Sequence, residues 1–182
     1  MRKVFGFGET VFDIIFKEGV PVAAKPGGSV LNAFVSLGRL GWNPSFISEY
    51  GMDDVGELIE NTLKKNGVHT GYVNRFSEGQ SALALAFLDK DNNASYSFYR
   101  KFPEKRLQKL PDDIQPDDII MFGSIYAHTS EVRSSVIRFL GWCRPLSNNP
   151  EPGSFPEPTA SSISRTGDFH RSHTQSSTAR AR

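Results

Sequence analysis

Pro26-Gly27-Gly28-Ser29 opens a helical pattern that carries Asn32. Paired glycines let a ligand approach the main chain with no side chain in the way, and the first-turn amides of a helix are free donors. Asn32 lies one turn in, on the face it shares with Gly28 and Ser29, and its amide both donates and accepts, as a sugar hydroxyl does. The same spacing also reads as a plain loop and helix cap with Asn32 solvated. Asp13 sits inside the apolar run Val11-Phe12-Asp13-Ile14-Ile15-Phe16. A carboxylate in such company is costly unless paired or hydrogen-bonded. It could take two hydroxyls of a polyol, or lie exposed on the polar face of an edge strand. Glu9, after the first strand, could orient the same site or face solvent. In Tyr96-Ser97-Phe98-Tyr99-Arg100, Phe98 and Arg100 share one strand face, where a ring and a guanidinium can seat a sugar's carbon face and its hydroxyls. An ordinary amphipathic hairpin shows the same pattern.

Other chemistries find little support. Gly6-Phe7-Gly8 lacks the third glycine of a dinucleotide fingerprint, because position 11 is Val. His170 and His173 have ligand-like spacing but lie in a polar tail, so no metal site is expected. Cys143 has no general base evident near it and reads as a helix residue.

The elements that must position these groups follow from periodicity and turn signals. Strands are expected at Val4–Phe7, Val11–Phe16 and Val20–Ala24, the last two as a hairpin turning at Gly19-Val20-Pro21. A helix runs from Ser29 to Leu40, with Val30, Phe34 and Leu37 inward, Ala33 and Leu40 beside them, and Gly41 closing it. Ser45–Tyr50 is a strand. Asp53 caps the next helix, whose Val55, Leu58, Ile59 and Leu63 fall on one face and which Asn66-Gly67 ends. Ser81–Leu88 and Ala94–Arg100 flank the polar loop Asp89–Asn93 as a second hairpin. Asp118–Phe122 reads as a buried strand, and a helix from about Ser130 turns Val132, Val136, Ile137 and Leu140 inward. Strands alternating with helices imply an α/β fold with a parallel sheet, and the hairpins, which do not fit inside it, a small accessory sheet at its edge.

Composition bounds the rest. The 182 residues are 38% hydrophobic and 23% charged, with a formal charge of +1. No basic stripe argues for nucleic acid. No apolar run is long enough to span a membrane, and no signal peptide is visible. The single cysteine suits a reducing, cytoplasmic compartment. The chain changes character near residue 145. All nine lysines precede residue 110, while residues 145–182 carry prolines at 145, 150, 152, 156 and 158, are rich in Ser and Thr, and follow no period. This segment is expected to be disordered. It is either a natural tail or a frame-shifted translation; the coding sequence in the other two frames decides between them.

Together these features resemble the ribokinase-like (PfkB) carbohydrate kinases over residues 3–144. The resemblance rests on Gly27-Gly28-Ser29-Val30-Leu31-Asn32-Ala33 followed by Ser36-Leu37-Gly38-Arg39-Leu40-Gly41. It extends to Gly51-Met52-Asp53-Asp54-Val55-Gly56 and to Gly8-Glu9-Thr10-Val11-Phe12-Asp13. Ser97-Phe98-Tyr99-Arg100 and Phe122-Gly123-Ser124 are similar to stretches of bacterial fructokinases. The resemblance implies a Rossmann-like α/β domain, residues 1–144, with a β-sheet lid within about 11–24 and 81–100 that covers the sugar and can form a homodimer contact. It implies that Asp13, Gly27, Gly28 and Asn32 hold sugar hydroxyls and that Phe98 and Arg100 complete the pocket. It implies ATP and Mg2+ as the family's cofactors.

The family's Gly-Ala-Gly-Asp motif, whose helix amides meet the transferred phosphate and whose Asp takes the sugar proton, is not found. Arg165-Thr166-Gly167-Asp168-Phe169 lacks the leading Gly-Ala and is followed by polar tail. No catalytic residue is therefore assigned. The chain is expected to be a truncated kinase that keeps the sugar-binding half, binds nucleotide poorly and is inactive alone. The loss would leave one side of the parallel sheet open and the protein prone to aggregate. The alternatives are a non-catalytic sugar-binding module and a fragment with no function. A nicotinamide-dependent dehydrogenase is disfavoured by the failed glycine fingerprint.

Overall fold

The computed structural model describes residues 2–107, 109–123 and 125–142, all within one compact unit, Met1–Pro145. The expectation of disorder for 145–182 lies outside the described residues, as do Cys143, His170 and His173. Among the described residues, two four-stranded sheets organise the chain.

The first sheet is parallel throughout. It joins β1 (Val4–Phe7), β4 (Ser45–Gly51), β5 (Val73–Phe76) and β8 (Ile119–Phe122) in the order β5-β4-β1-β8. Side chains alternate across it. Val4, Phe46 and Tyr50 pack on one face with α1 (Ser29–Arg39) and α2 (Asp54–Lys65), through Val30, Leu31, Phe34, Ile59 and Leu63. Phe5, Phe7 and Ile47 pack on the other face against Val132, Val136 and Phe139 of α3 (Ser130–Trp142). The result is a helix–sheet–helix sandwich. None of the described helices is long and apolar enough to cross a membrane.

The second sheet is the expected lid: β2 (Val11–Lys17), β3 (Val20–Gly27), β6 (Gln80–Leu88) and β7 (Ala94–Lys101), in the order β3-β2-β6-β7. Its two hairpins are antiparallel, but β2 and β6 run parallel where the hairpins meet. The first hairpin turns at Glu18 and Gly19, both at positive φ (53° and 78°), and not at Gly19-Val20-Pro21. Two successive left-handed residues match the twist of a tight hairpin. The lid is bolted to the core at Asp53. This residue caps α2 by accepting from the Gly56 amide (2.7 Å), and it also accepts from the Ser81 amide (2.8 Å) and hydroxyl (2.7 Å) at the root of β6.

Several expectations need correction. β8 is not buried: Ile119, Met121 and Phe122 are 41%, 40% and 54% exposed, because among the described residues the strand pairs with β1 alone. Leu58, Ile137 and Leu40 are exposed. Leu58 and Ile137 flank the inward stripes rather than join them, and Leu40 is the residue that ends α1. Phe139, not foreseen, is fully buried. The strand β5 was also not foreseen.

A buried charge closes the packing. Glu49, on the α3 face of β4, accepts from Arg106, from the Leu107 amide (3.2 Å) and from the Tyr126 hydroxyl (2.9 Å). Arg106 also lies over the Phe102 ring at 3.6 Å. Arg106→Met would leave a buried carboxylate without its counter-charge, a loss of about 3–5 kcal/mol. The expected result is a lower urea midpoint, part of which Glu49→Gln with Arg106→Met recovers by removing the unpaired charge while keeping an acceptor for the Leu107 amide and Tyr126 hydroxyl; a single-variant loss under ~1 kcal/mol contradicts it. At Asp53, burial works against the carboxylate, yet the hydrogen bonds from Ser81, Gly56 and Val55 outweigh it and hold its pKa below the ordinary 3.8. A depressed carboxylate stabilises above its ordinary pKa and loses that contribution as the pH falls through the folded value. The stability difference between wild type and Asp53→Asn should therefore shrink below pH 3.8. A constant difference from about pH 7 to about pH 2 contradicts the assignment.

Candidate functional site

The chain leaves β1 on one side to build β4 and β5, then returns to the other side for β8. Ligands of open α/β sheets bind at such a reversal, beyond the carboxyl ends of the strands. Gly8 and Glu9 occupy that place. The Gly8 carbonyl accepts from the Ser48 hydroxyl (2.6 Å), and its amide donates to the Ile47 carbonyl (3.2 Å). The lid enters and leaves the core at the same end, through Thr10 and through Gly27-Gly28.

Lid register brings three distant segments into line. Asp13 pairs with Lys25 on β3 and with Ala84 on β6, and Ala84 pairs with Phe98 on β7. Directly paired residues share a face, so Lys25, Asp13, Ala84 and Phe98 form one rung. Two strand spacings, about 10 Å, separate Asp13 from Phe98 across the small Ala84. Gly27, diagonal to Asp13, lies beneath its carboxylate: a Cβ there would overlap Asp13 Oδ2. Gly28 follows at φ 124°, where a Cβ would strike the Glu9 carbonyl, and it begins α1 with no side-chain cap. The first-turn amides of α1 are thus free of a side-chain acceptor. Asn32 is exposed one turn on, its own amide N–H donating to the Gly28 carbonyl (2.9 Å).

Arg100 reaches back from β7 to Glu9, Nη2 to Oε1 at 3.0 Å, and its guanidinium covers the Phe98 ring at 4.4 Å. Phe98 in turn stacks on Tyr96 at 5.9 Å and 13°. The structure therefore gathers Glu9, Asp13, Gly27 and Gly28 at the end of β1, with Asn32 one helical turn away and Phe98 and Arg100 on β7, the far strand of the lid sheet. Burial pushes both carboxylates up from their ordinary values. The nearby Arg100 and Arg106 oppose this at Glu9, and Lys25 opposes it at Asp13. A raised carboxylate favours the folded chain when protonated, so both groups lower stability once the pH rises above their titration. A separate cleft of about 410 Å3 lies where α2 meets the lid, lined by Asp53, Ser81, Leu83, Tyr99 and Lys101 among others. It contains none of the expected residues except Arg100.

Reasoning from sequence missed Lys25 as the neighbour of Asp13, and missed Glu49 with Arg106. Lys25 faces Asp13 only because the register shifts between Ile15 and Phe16; counted straight from the Glu18-Gly19 turn, Ala24 would stand opposite Asp13. Glu49, a charge inside an apolar strand, signals that a partner must exist, but nothing local points to a residue 57 positions away.

Residues 1–166 match the pfkB family of carbohydrate kinases. The chain belongs to that family. It is 30% identical over 145 residues to a probable fructokinase-3 of Arabidopsis thaliana, covering 72% of this chain and 41% of that protein. It is 28% identical over 147 residues to a fructokinase of Solanum tuberosum, covering 74% and 46%. It therefore spans less than half the length of these curated relatives. Among solved structures, it is similar to the fructokinase of Halothermothrix orenii (TM-score 0.62, 21% identity, 78% of this chain and 53% of that one). It is also similar to a sugar kinase of Pyrococcus horikoshii in complex with ATP (TM-score 0.57, 22% identity, 74% and 47%). Both show the ribokinase-like fold.

Gly28→Ala should destabilise this pfkB chain by about 1–3 kcal/mol, since a side chain there must adopt a strained backbone and displace Glu9. Chemical denaturation measures it; an unchanged midpoint contradicts the close approach.

Proposed function

We propose that this chain carries the sugar-binding half of a fructokinase-like enzyme and binds a monosaccharide, with fructose as the first candidate, between the end of β1 and the lid. The observation that carries the reading is the Asp13 carboxylate lying over Gly27, at the uncapped start of α1. Half-buried, and with no hydrogen bond or ion pair to the carboxylate among the described residues, Asp13 is an acceptor with unused capacity. Two sugar hydroxyls would donate to it. The Gly28 and first-turn amides would donate to a third oxygen, and Asn32 would both give and take. The edge of the Phe98 ring, whose faces meet Arg100 and Tyr96, would lie against the sugar, and Arg100 would close the rim.

In the whole protein the reaction would be transfer of the ATP γ-phosphate to a sugar hydroxyl. The nucleotide is not placed on the described residues, because the sequence has no Gly-Ala-Gly-Asp. No catalytic step is assigned to them, and the 182 residues as given are expected to bind sugar without transferring phosphate. Residues 1–144 would be the kinase part and 145–182 a tail, of which residues 145–166 still fall within the family match. The same reading extends to work in a reducing, cytoplasmic compartment and to a homodimer through the lid, whose strands β3 and β7 are exposed along nearly all their length.

Titration calorimetry tests this with fructose, ribose, 2-keto-3-deoxygluconate and ATP in separate runs. One sugar should bind and ATP should not. Asp13→Asn should weaken the sugar about ten-fold or more, the worth of a hydrogen bond to a charged group. No binding by any of the three sugars, or an Asp13→Asn protein that binds like wild type, overturns the reading. ATP consumption with sugar by the purified chain overturns the expectation that it is inactive.

A further inference from the structure

We propose that Glu9 is a positioning residue for sugar recognition: through its ion pair with Arg100 it holds the outermost lid strand, with Phe98, against the end of β1. This rests on the sugar-binding reading above. The pair spans two layers. Glu9 belongs to the core side, at the end of β1, and its main-chain carbonyl lies against Gly28. Arg100 belongs to β7, the strand of the lid farthest from β3. Among the described residues, no other ion pair or side-chain hydrogen bond joins β7 to the parallel-sheet layer.

The electrostatics favour a fixed geometry over a loose surface contact. The Glu9 side chain is 16% exposed and that of Arg100 is 38% exposed. Glu9 is therefore largely removed from water, and its pairing is screened less than that of a solvated carboxylate. Arg100 is fixed on its other flank by the Phe98 ring, which is itself stacked on Tyr96. One line of contacts thus runs Glu9–Arg100–Phe98–Tyr96, from the end of β1 along the face that carries Asp13. The 3.0 Å contact uses one nitrogen of the guanidinium. The rest of its five-donor fork remains to meet hydroxyl oxygens. Without Glu9, Arg100 keeps its charge but loses what aims it, and β7 loses its tie to the core.

A double-mutant cycle tests this on the full chain, with fructose binding read by calorimetry and β7 amide exchange read by hydrogen-exchange mass spectrometry. Glu9→Gln should weaken fructose about ten-fold, and Glu9→Asp should recover part of the loss. In the Arg100→Ala background, Glu9→Gln should change binding little, because its effect passes through Arg100. Exchange across residues 96–100 should rise in Glu9→Gln without sugar, while the urea midpoint stays near wild type. Losses that simply add in the double variant, or unchanged β7 exchange in Glu9→Gln, overturn the proposal even where wild type binds sugar. If wild type binds none of the three sugars, the sugar reading fails, and β7 exchange alone still decides whether Glu9 holds the lid strand.

Discussion

The carboxylate of Glu49 stands in the middle of the parallel sheet with almost no access to water, and the surrounding architecture answers to it. A buried anion is tolerable only when its lone pairs are met and its charge is matched. Arg106, the Leu107 amide and the Tyr126 hydroxyl do this, and all three come from chain that follows the lid. The return from β7 to the core is therefore not a slack connection. It is drawn against β4, which brings Leu107 and Tyr126 into the cluster around Phe5, Phe7 and Phe139. Tyr126 shares the consequence: burial and the adjacent carboxylate push its hydroxyl well above its ordinary pKa, so it remains a donor. Arg106 also contributes to the field at Glu9. The charge under the sheet and the pair at the mouth of the site thus belong to one electrostatic neighbourhood.

The lid is inserted at two crossovers, between β1 and α1 and between β5 and β8. Both open at the carboxyl end of the sheet, where strand order reverses. This explains how a small sheet can contribute to a site founded on the larger one. β2 and β6 meet in parallel because each hairpin rises from the core in the same direction. Their pairing lets Asp13 and Phe98, 85 positions apart, stand on a common rung.

Much of this was legible in the residues. The 3.6-residue stripes of α1 and α2, the Asp53 cap, the Gly41 and Gly67 terminations and the two hairpins follow from local chemistry, and local chemistry is what a single sequence records. The pairing between hairpins was not legible, because β2 and β6 are nearly continuous apolar runs that fit several registers. The outward turn of Leu58 and Ile137 was missed for a related reason. A stripe broad enough to be plausible includes flanking residues, and only the packed neighbours decide which of them reach the core. β8 looked like an interior strand because parallel strands read as continuous apolar runs. Its composition describes a strand with neighbours on both sides, while its exposure reports one. At the site, Asp13, the glycines and Asn32 stood out by type and spacing. The tie between Arg100 and Glu9 did not, because it exists only once the lid has folded back.

That one-sided strand carries a lesson about how direction is encoded. The outer rim of Ile119–Phe122 offers the same alternating donors and acceptors to an incoming chain whichever way it runs. Nothing in those groups favours a co-directional neighbour over an opposed one. What distinguishes the two is the tether: a helix laid across the sheet delivers the following strand head-to-head with the last, and right-handedly. The helices packed on Val4, Phe46 and Tyr50 are such tethers: α1 delivers β4 beside β1, and α2 delivers β5 beside β4. The polarity of this architecture is therefore dictated by its coverings and not by the rim they guide a strand toward.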